Sequence, residues 1–244
     1  MKRVLRYIEQ HQAELAKSPF LSFLGDTSVE PRLRFGFAPC MAPFVMGFAD
    51  LNKYVLRDES SEDPLQKLIN THTREDDHHW GMFLRDLRTL ELNAPLELTG
   101  AIEHLWGEHN KKARQLIYGL VALISAERPV MRLVIVECIE AAGSVGSSRF
   151  TQAARELEAR TGKRLFYFGE AHERLETGHL TGNGNIEETL AGLELTPEQV
   201  ERARGLADRT FALFHAMGDE LLAYARRGLE GAHAPGTRGL ARPG

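Results

Sequence analysis

The chain has 244 residues, 43% of them hydrophobic, and a formal net charge of −4 at pH 7. That length suits one large domain or two small ones and is ample to bury a core. The mild acidity excludes the basic footprint of a nucleic-acid binder.

The opening run from Met1 to Arg6 meets charge at Lys2, Arg3 and Arg6, too soon for a secretory signal. Two cysteines, Cys40 and Cys138, sit among apolar residues and read as buried, reduced thiols of a cytoplasmic protein. Residues 2–24 predict one amphipathic helix, with Leu5, Ile8, His11, Leu15 and Phe20 near one stripe. Gly25 to Ser28 is a break. Residues 32–56, rich in Phe and Met, predict a core helix kinked or restarted at Pro39 and Pro43. A polar connection from Asp58 to Pro64 leads into helical periodicity that runs from Leu65 to Leu92.

Pro95 closes that helix, and another is predicted over 98–126. Arg128-Pro129 starts the most apolar segment, Val130 to Ala142, interrupted by Arg132, Glu137 and Glu140. It is too short and too charged to span a membrane. Gly143 and Gly146 permit a bend, after which periodicity resumes over 148–160. A helix from the turn at 161–163 to about Leu180 and a loop over 181–185 follow. The last helix is predicted from Pro197 to about Arg227, and Gly231 to Gly244 reads as a flexible tail. About seven helices and no convincing strand make the class all-α, in one helical domain over 1–230.

Three clusters carry chemistry. In the helix predicted over 65–92, the inward face is set by Leu65, Ile69, Phe83, Leu87 and Leu90. His72, Asp76 and His79 fall within about 40° of its centre, so Asp76 and His79 project into the core beside His72. A carboxylate and imidazoles buried among Leu and Phe are costly unless a cation compensates. Glu75 and His78, also three apart, form an alternative pair nearer the margin. His172, Glu176 and His179 stand at i, i+4 and i+7 on one helical face. Gly178 is expected to loosen the end of that helix. Glu137 and Glu140 interrupt the central apolar helix, where a buried glutamate needs either an arginine or a metal. Such a nitrogen and oxygen donor set suits iron, manganese or zinc.

These residues resemble the haem-oxygenase-like diiron oxidases and oxygenases, which share their helical fold with haem oxygenase and thiaminase-II-like proteins. The resemblance covers about residues 30–225. It rests on an acid closely followed by a histidine, a glutamate from a later helix, then His, three residues, an acid, two residues, His. Here these are Asp76 and His79, Glu140, then His172, Glu176 and His179. Glu137 stays open in place of Glu140, and Glu75 and His78 in place of Asp76 and His79. Many members carry aspartate where Glu176 stands and glutamate where Asp76 stands.

The resemblance implies a haem-oxygenase-like bundle binding two Fe(II) ions, with dioxygen as co-substrate. It implies oxidation of a small amino-acid-like or carboxylate metabolite in a biosynthetic pathway, with N-oxygenation, desaturation, C–C cleavage and nitrile formation as outcomes. A homodimer is an expectation of the fold. Phe35, Phe37, Phe44 and Phe48 are expected mainly as core, with a pocket wall as the alternative. Arg34 and Lys53 are candidate holders of a substrate carboxylate. The competing readings are a thiaminase-II-like enzyme with Cys138 as nucleophile, a haem oxygenase, a ferritin-like diiron protein and a non-enzymatic interaction protein.

Overall fold

Ser18-Pro19 interrupts the first apolar stripe. The Ser18 hydroxyl caps the Leu21 amide and Pro19 takes the first helical position, a pairing that starts a helix rather than continues one. The segment is therefore two helices, α1 (Lys2–Leu15) and α2 (Pro19–Leu24). The computed structural model describes residues 1–179, 189 and 192–233. Among these, all regular structure is helical.

The Phe- and Met-rich segment restarts as the prolines require. A short α3 (Pro31–Arg34) is followed by a 3₁₀ turn (Ala38–Met41), α4 (Ala42–Leu51) and a π-helical turn (Asn52–Leu56). The helix expected over 65–92 is broken into α5 (Pro64–Asp76) and α6 (Trp80–Thr89). The cause is non-local. Arg57 donates to the Thr73 carbonyl at 2.9 Å, to the Thr73 hydroxyl at 3.1 Å and to Asp77 at 2.8 Å. In a continuous helix that carbonyl would accept the Asp77 amide. Next come α7 (Leu98–Trp106), a 3₁₀ turn (Glu108–Asn110) and α8 (Lys111–Ser125), in place of one helix over 98–126. The break falls at Gly107, whose ψ of 160° leaves the helical range.

The bend expected at Gly143 and Gly146 does not form. One 33-residue helix, α9 (Pro129–Thr161), runs through both glycines and ends at Gly162, whose φ of 70° makes it a left-handed cap. At about 50 Å it is the spine of the molecule. After a bend at 166–169 come α10 (Glu170–His179) and α11 (Pro197–His233). The tail expected from Gly231 thus begins inside the last turn of α11; residues 234–244, like 180–188, lie outside the described residues.

Packing follows the apolar faces. α11 lies against α1, α8 and α9, α4 lies on α8, and α5 and α10 both lie on α9. The buried side chains form one cluster that runs from Val4 to Ala225. Among the described residues no helix is long and apolar enough to cross a membrane. Arg34 is wholly buried and commits its guanidinium to Glu156 and the Leu24 carbonyl. It is therefore a structural ion pair, not a free holder of a carboxylate.

Candidate metal centre

Four elements bring polar side chains to one place beside the spine. α5 presents His72 and Asp76 from its buried face, and α9 presents Glu140. His72 Nε2 lies 3.1 Å from Asp76 Oδ2 and 3.2 Å from Glu140 Oε1. One donor atom of each of these three residues lies within 4.8 Å of the other two. His79, in the turn before α6, and His172, near the start of α10, meet with Nδ1 and Nε2 3.2 Å apart and ring centroids 4.9 Å apart. Asp76, His79, Glu140 and His172 all line one cavity of about 120 Å³.

The alternative pairing is not the buried one. His78 is 67% exposed and faces Asp77, whereas Asp76 and His79 are both buried. Glu140 faces His72 and lines the cavity, while Glu137 is not among its lining residues. The break between α5 and α6 means that Asp76 and His79 do not share a helical face, as the wheel expects. Burial of both survives because the turn at 77–79 folds His79 inward. Glu176 and His179 belong to α10, but their side chains lie outside the described residues.

The largest departure from the sequence reading is His72, which stands between the two carboxylates rather than beside a pair. Burial alone would lower its pKa. The hydrogen bonds to Asp76 and Glu140 outweigh that and raise it to about 11. In the metal-free chain the imidazolium is thus the cation that balances the buried Asp76 carboxylate and the partly buried Glu140 carboxylate. The position of a ligand to Asp76 and Glu140 is one that a divalent ion would equally satisfy, and oxygen and nitrogen donors at this spacing fit iron or manganese. His79 and His172, with facing ring nitrogens, offer a second set of donors on the same cavity.

His172 is held by contacts that sequence periodicity does not reveal. Its ring stacks on Tyr167 at 4.5 Å. Its amide donates to the carbonyls of Phe166 and Gly169, both at 3.2 Å. The bend that precedes it hangs on Asp86 of α6. This wholly buried carboxylate accepts the Phe166 amide at 2.8 Å and the Phe168 amide at 3.0 Å. Burial pushes the Asp86 pKa up, against the pull of the amides of Phe168, Phe166 and Tyr167. Gly169 is required at the end of the bend, because a Cβ there would overlap the Leu165 carbonyl oxygen. Gly169→Ala is expected to cost about 2 kcal/mol, the scale of forcing an atom into packed backbone. Urea unfolding measures it, and an unchanged midpoint would mean that the bend relaxes freely.

Most of the rest of the cavity wall is apolar. Phe44, Phe48, Phe150, Phe214 and Met217 contribute, together with Trp80. Phe44 and Phe48 are therefore pocket wall, whereas Phe35 and Phe37 are wholly buried and pack in the core. Gly143 and Gly146, within the spine, also line the cavity. Lys53 is not among the lining residues.

Comparison with protein-family models and with curated proteins finds no match for this chain.

Proposed function

We propose that the chain is a non-haem diiron oxidase or oxygenase that uses dioxygen to oxidise a small metabolite with an amine or carboxylate and an apolar body. The observation that carries this reading is the convergence of Asp76, His79, Glu140 and His172 on one apolar-walled cavity, with His72 bridging Asp76 and Glu140. A surface acidic cluster has neither the burial nor the adjoining cavity. Asp76 and Glu140, with His72, would hold one ion; His79 and His172 would contribute to the second, joined by Glu176 and His179 as the resemblance implies. When bound, ferrous ions supply the electrons that reduce dioxygen.

The chain's own residues supply the remainder. The Tyr167 ring and the Asp86-held bend fix the orientation of His172. Phenylalanines exclude bulk water from the cavity and take the apolar body of the substrate. His215 and Asp219 of α11, which also line the cavity, are ionisable groups available to orient a substrate amine or carboxylate away from the donor cluster.

A thiol-nucleophile enzyme is the weaker reading. Cys138 is wholly buried, and burial pushes its thiol pKa up, with the neighbouring charge of Glu137 adding to the effect. It is not among the residues that line the cavity.

Anaerobic loading with Fe(II), followed by oxygen exposure in the presence of panels of amino acids and fatty acids, tests the proposal. The expected result is iron-dependent oxygen consumption coupled to substrate loss. Oxygen uptake that no substrate changes, or turnover that persists without iron, would reject it.

A further inference from the structure

We propose a second, separate metal site: Cys40, His104 and His109 form a thiolate–bis-imidazole site for Zn(II) that clips α7 and the following turn onto the core. One donor atom of each residue lies within 4.8 Å of the other two. Ligand atoms around a tetrahedral zinc stand about 3.3 to 3.6 Å apart, so closure needs movement of roughly an ångström. The two imidazoles are nearer still, with His109 Nε2 3.2 Å from His104 Nδ1. These residues share no member with the cluster on the cavity.

The loop is built to hold this geometry. Gly107 has no side chain where one would strike the His109 ring: a Cβ there would stand 2.6 Å from His109 Cε1. Asn110, wholly buried, donates to the His104 carbonyl at 2.7 Å. Arg114 donates to the carbonyls of Leu105 and Gly107 at 2.6 Å and 3.1 Å. His104 Nε2 is buried with no hydrogen-bond partner, as is Asn110 Oδ1 of the same loop, an unusual state for buried polar atoms. Burial lowers the pKa of both histidines, with the neighbouring His109 adding to the effect at His104 and Arg227 at His109. Neutral imidazole is the form that binds a metal.

The donor types choose the ion. A thiolate with two imidazoles suits zinc better than the hard oxygen-rich set beside α9 does. Binding would displace the Cys40 proton to solvent and leave a thiolate on the metal. Glu220 is committed to the amides of Lys112 and Ala113, so three protein donors leave the fourth position to water. The structural consequence lies in α7, a helix with no buried side chain. A bond from Cys40 in the 3₁₀ turn at 38–41 to His104 and His109 gives it an anchor that packing does not.

Co(II) titration of the full chain tests the site, because a cobalt–thiolate bond gives a near-ultraviolet charge-transfer band that nitrogen and oxygen donors do not. The expected result is a band saturating at about one equivalent, displaced by Zn(II). Cys40→Ala should abolish it, and His109→Ala should weaken metal binding by more than about tenfold. Because Cys40 lies in the core, the half-buried His109 provides the variant that keeps the fold, checked by circular dichroism. Absence of the band, its survival in Cys40→Ala, or zinc affinity unchanged in His109→Ala would each overturn the proposal.

Discussion

Asp86→Ala is expected to unfold the chain more readily than any surface substitution and to disorganise the end of the candidate centre at the same time. The carboxylate is wholly buried and accepts the amides of Phe166 and Phe168. Its removal leaves those donors without an acceptor in a place water does not reach easily. Each buried unsatisfied group costs about 1–3 kcal/mol, so a loss of about 4 kcal/mol is expected. For a chain of this size that lowers Tm by roughly 8 to 16 °C. Asp86→Asn keeps the volume and one acceptor oxygen, and should fall between the wild type and Asp86→Ala. The link to function is His172, which follows the bend by three residues, donates its amide to the Phe166 and Gly169 carbonyls and depends on the bend for its orientation. Iron affinity should therefore fall in Asp86→Ala even where the protein remains folded. Equal melting temperatures for wild type and Asp86→Ala, measured by calorimetry, would remove Asp86 as the holder of the bend.

His72→Ala should destabilise the metal-free protein by about 3–5 kcal/mol, the scale of leaving buried charges without their partner. The reason is the pair of contacts at 3.1 Å and 3.2 Å to Asp76 and Glu140. Without the imidazolium, the buried Asp76 and partly buried Glu140 carboxylates face each other uncompensated. Fe(II) or Mn(II) should restore part of that loss, since a divalent ion supplies the missing charge. The pH dependence carries a sign. The folded His72 pKa, about 11, lies above the ordinary 6.5. Its contribution is full below pH 6.5 and is lost as pH rises towards 11. The metal-free wild type should lose stability steadily across that window, and His72→Ala should show a flatter profile. Parallel profiles in the two proteins would mean that His72 is not charged between its carboxylates.

Much of this architecture is legible in the residues themselves. Helix class, the central helix begun by Pro129 and the inward placement of His72 and Asp76 follow from periodicity and the cost of burying charge. What periodicity missed has a common origin in contacts between residues far apart in sequence. Arg57 takes the Thr73 carbonyl and so breaks the helix before His79. Asp86 holds a bend some eighty residues later. The wheel placed His72 on the inward face but could not give it a partner, because that partner, Glu140, belongs to α9. The glycines of α9 illustrate the opposite error. A local rule expects a bend, whereas the helix runs unbroken through both glycines, which line the cavity. Ser18-Pro19, by contrast, is a local helix start that the strength of the surrounding apolar stripe concealed.

The most direct test of the diiron reading is iron content with Mössbauer spectroscopy of chain loaded anaerobically with ⁵⁷Fe(II), for the wild type beside His172→Ala and Glu140→Ala. Two ferrous ions per chain in high-spin nitrogen and oxygen coordination are the expected result, about 4 Å apart as in two-metal sites. Each variant should lose at least one of the two ions. Iron that binds at less than one per chain in the wild type, or that is indifferent to both substitutions, would contradict the account.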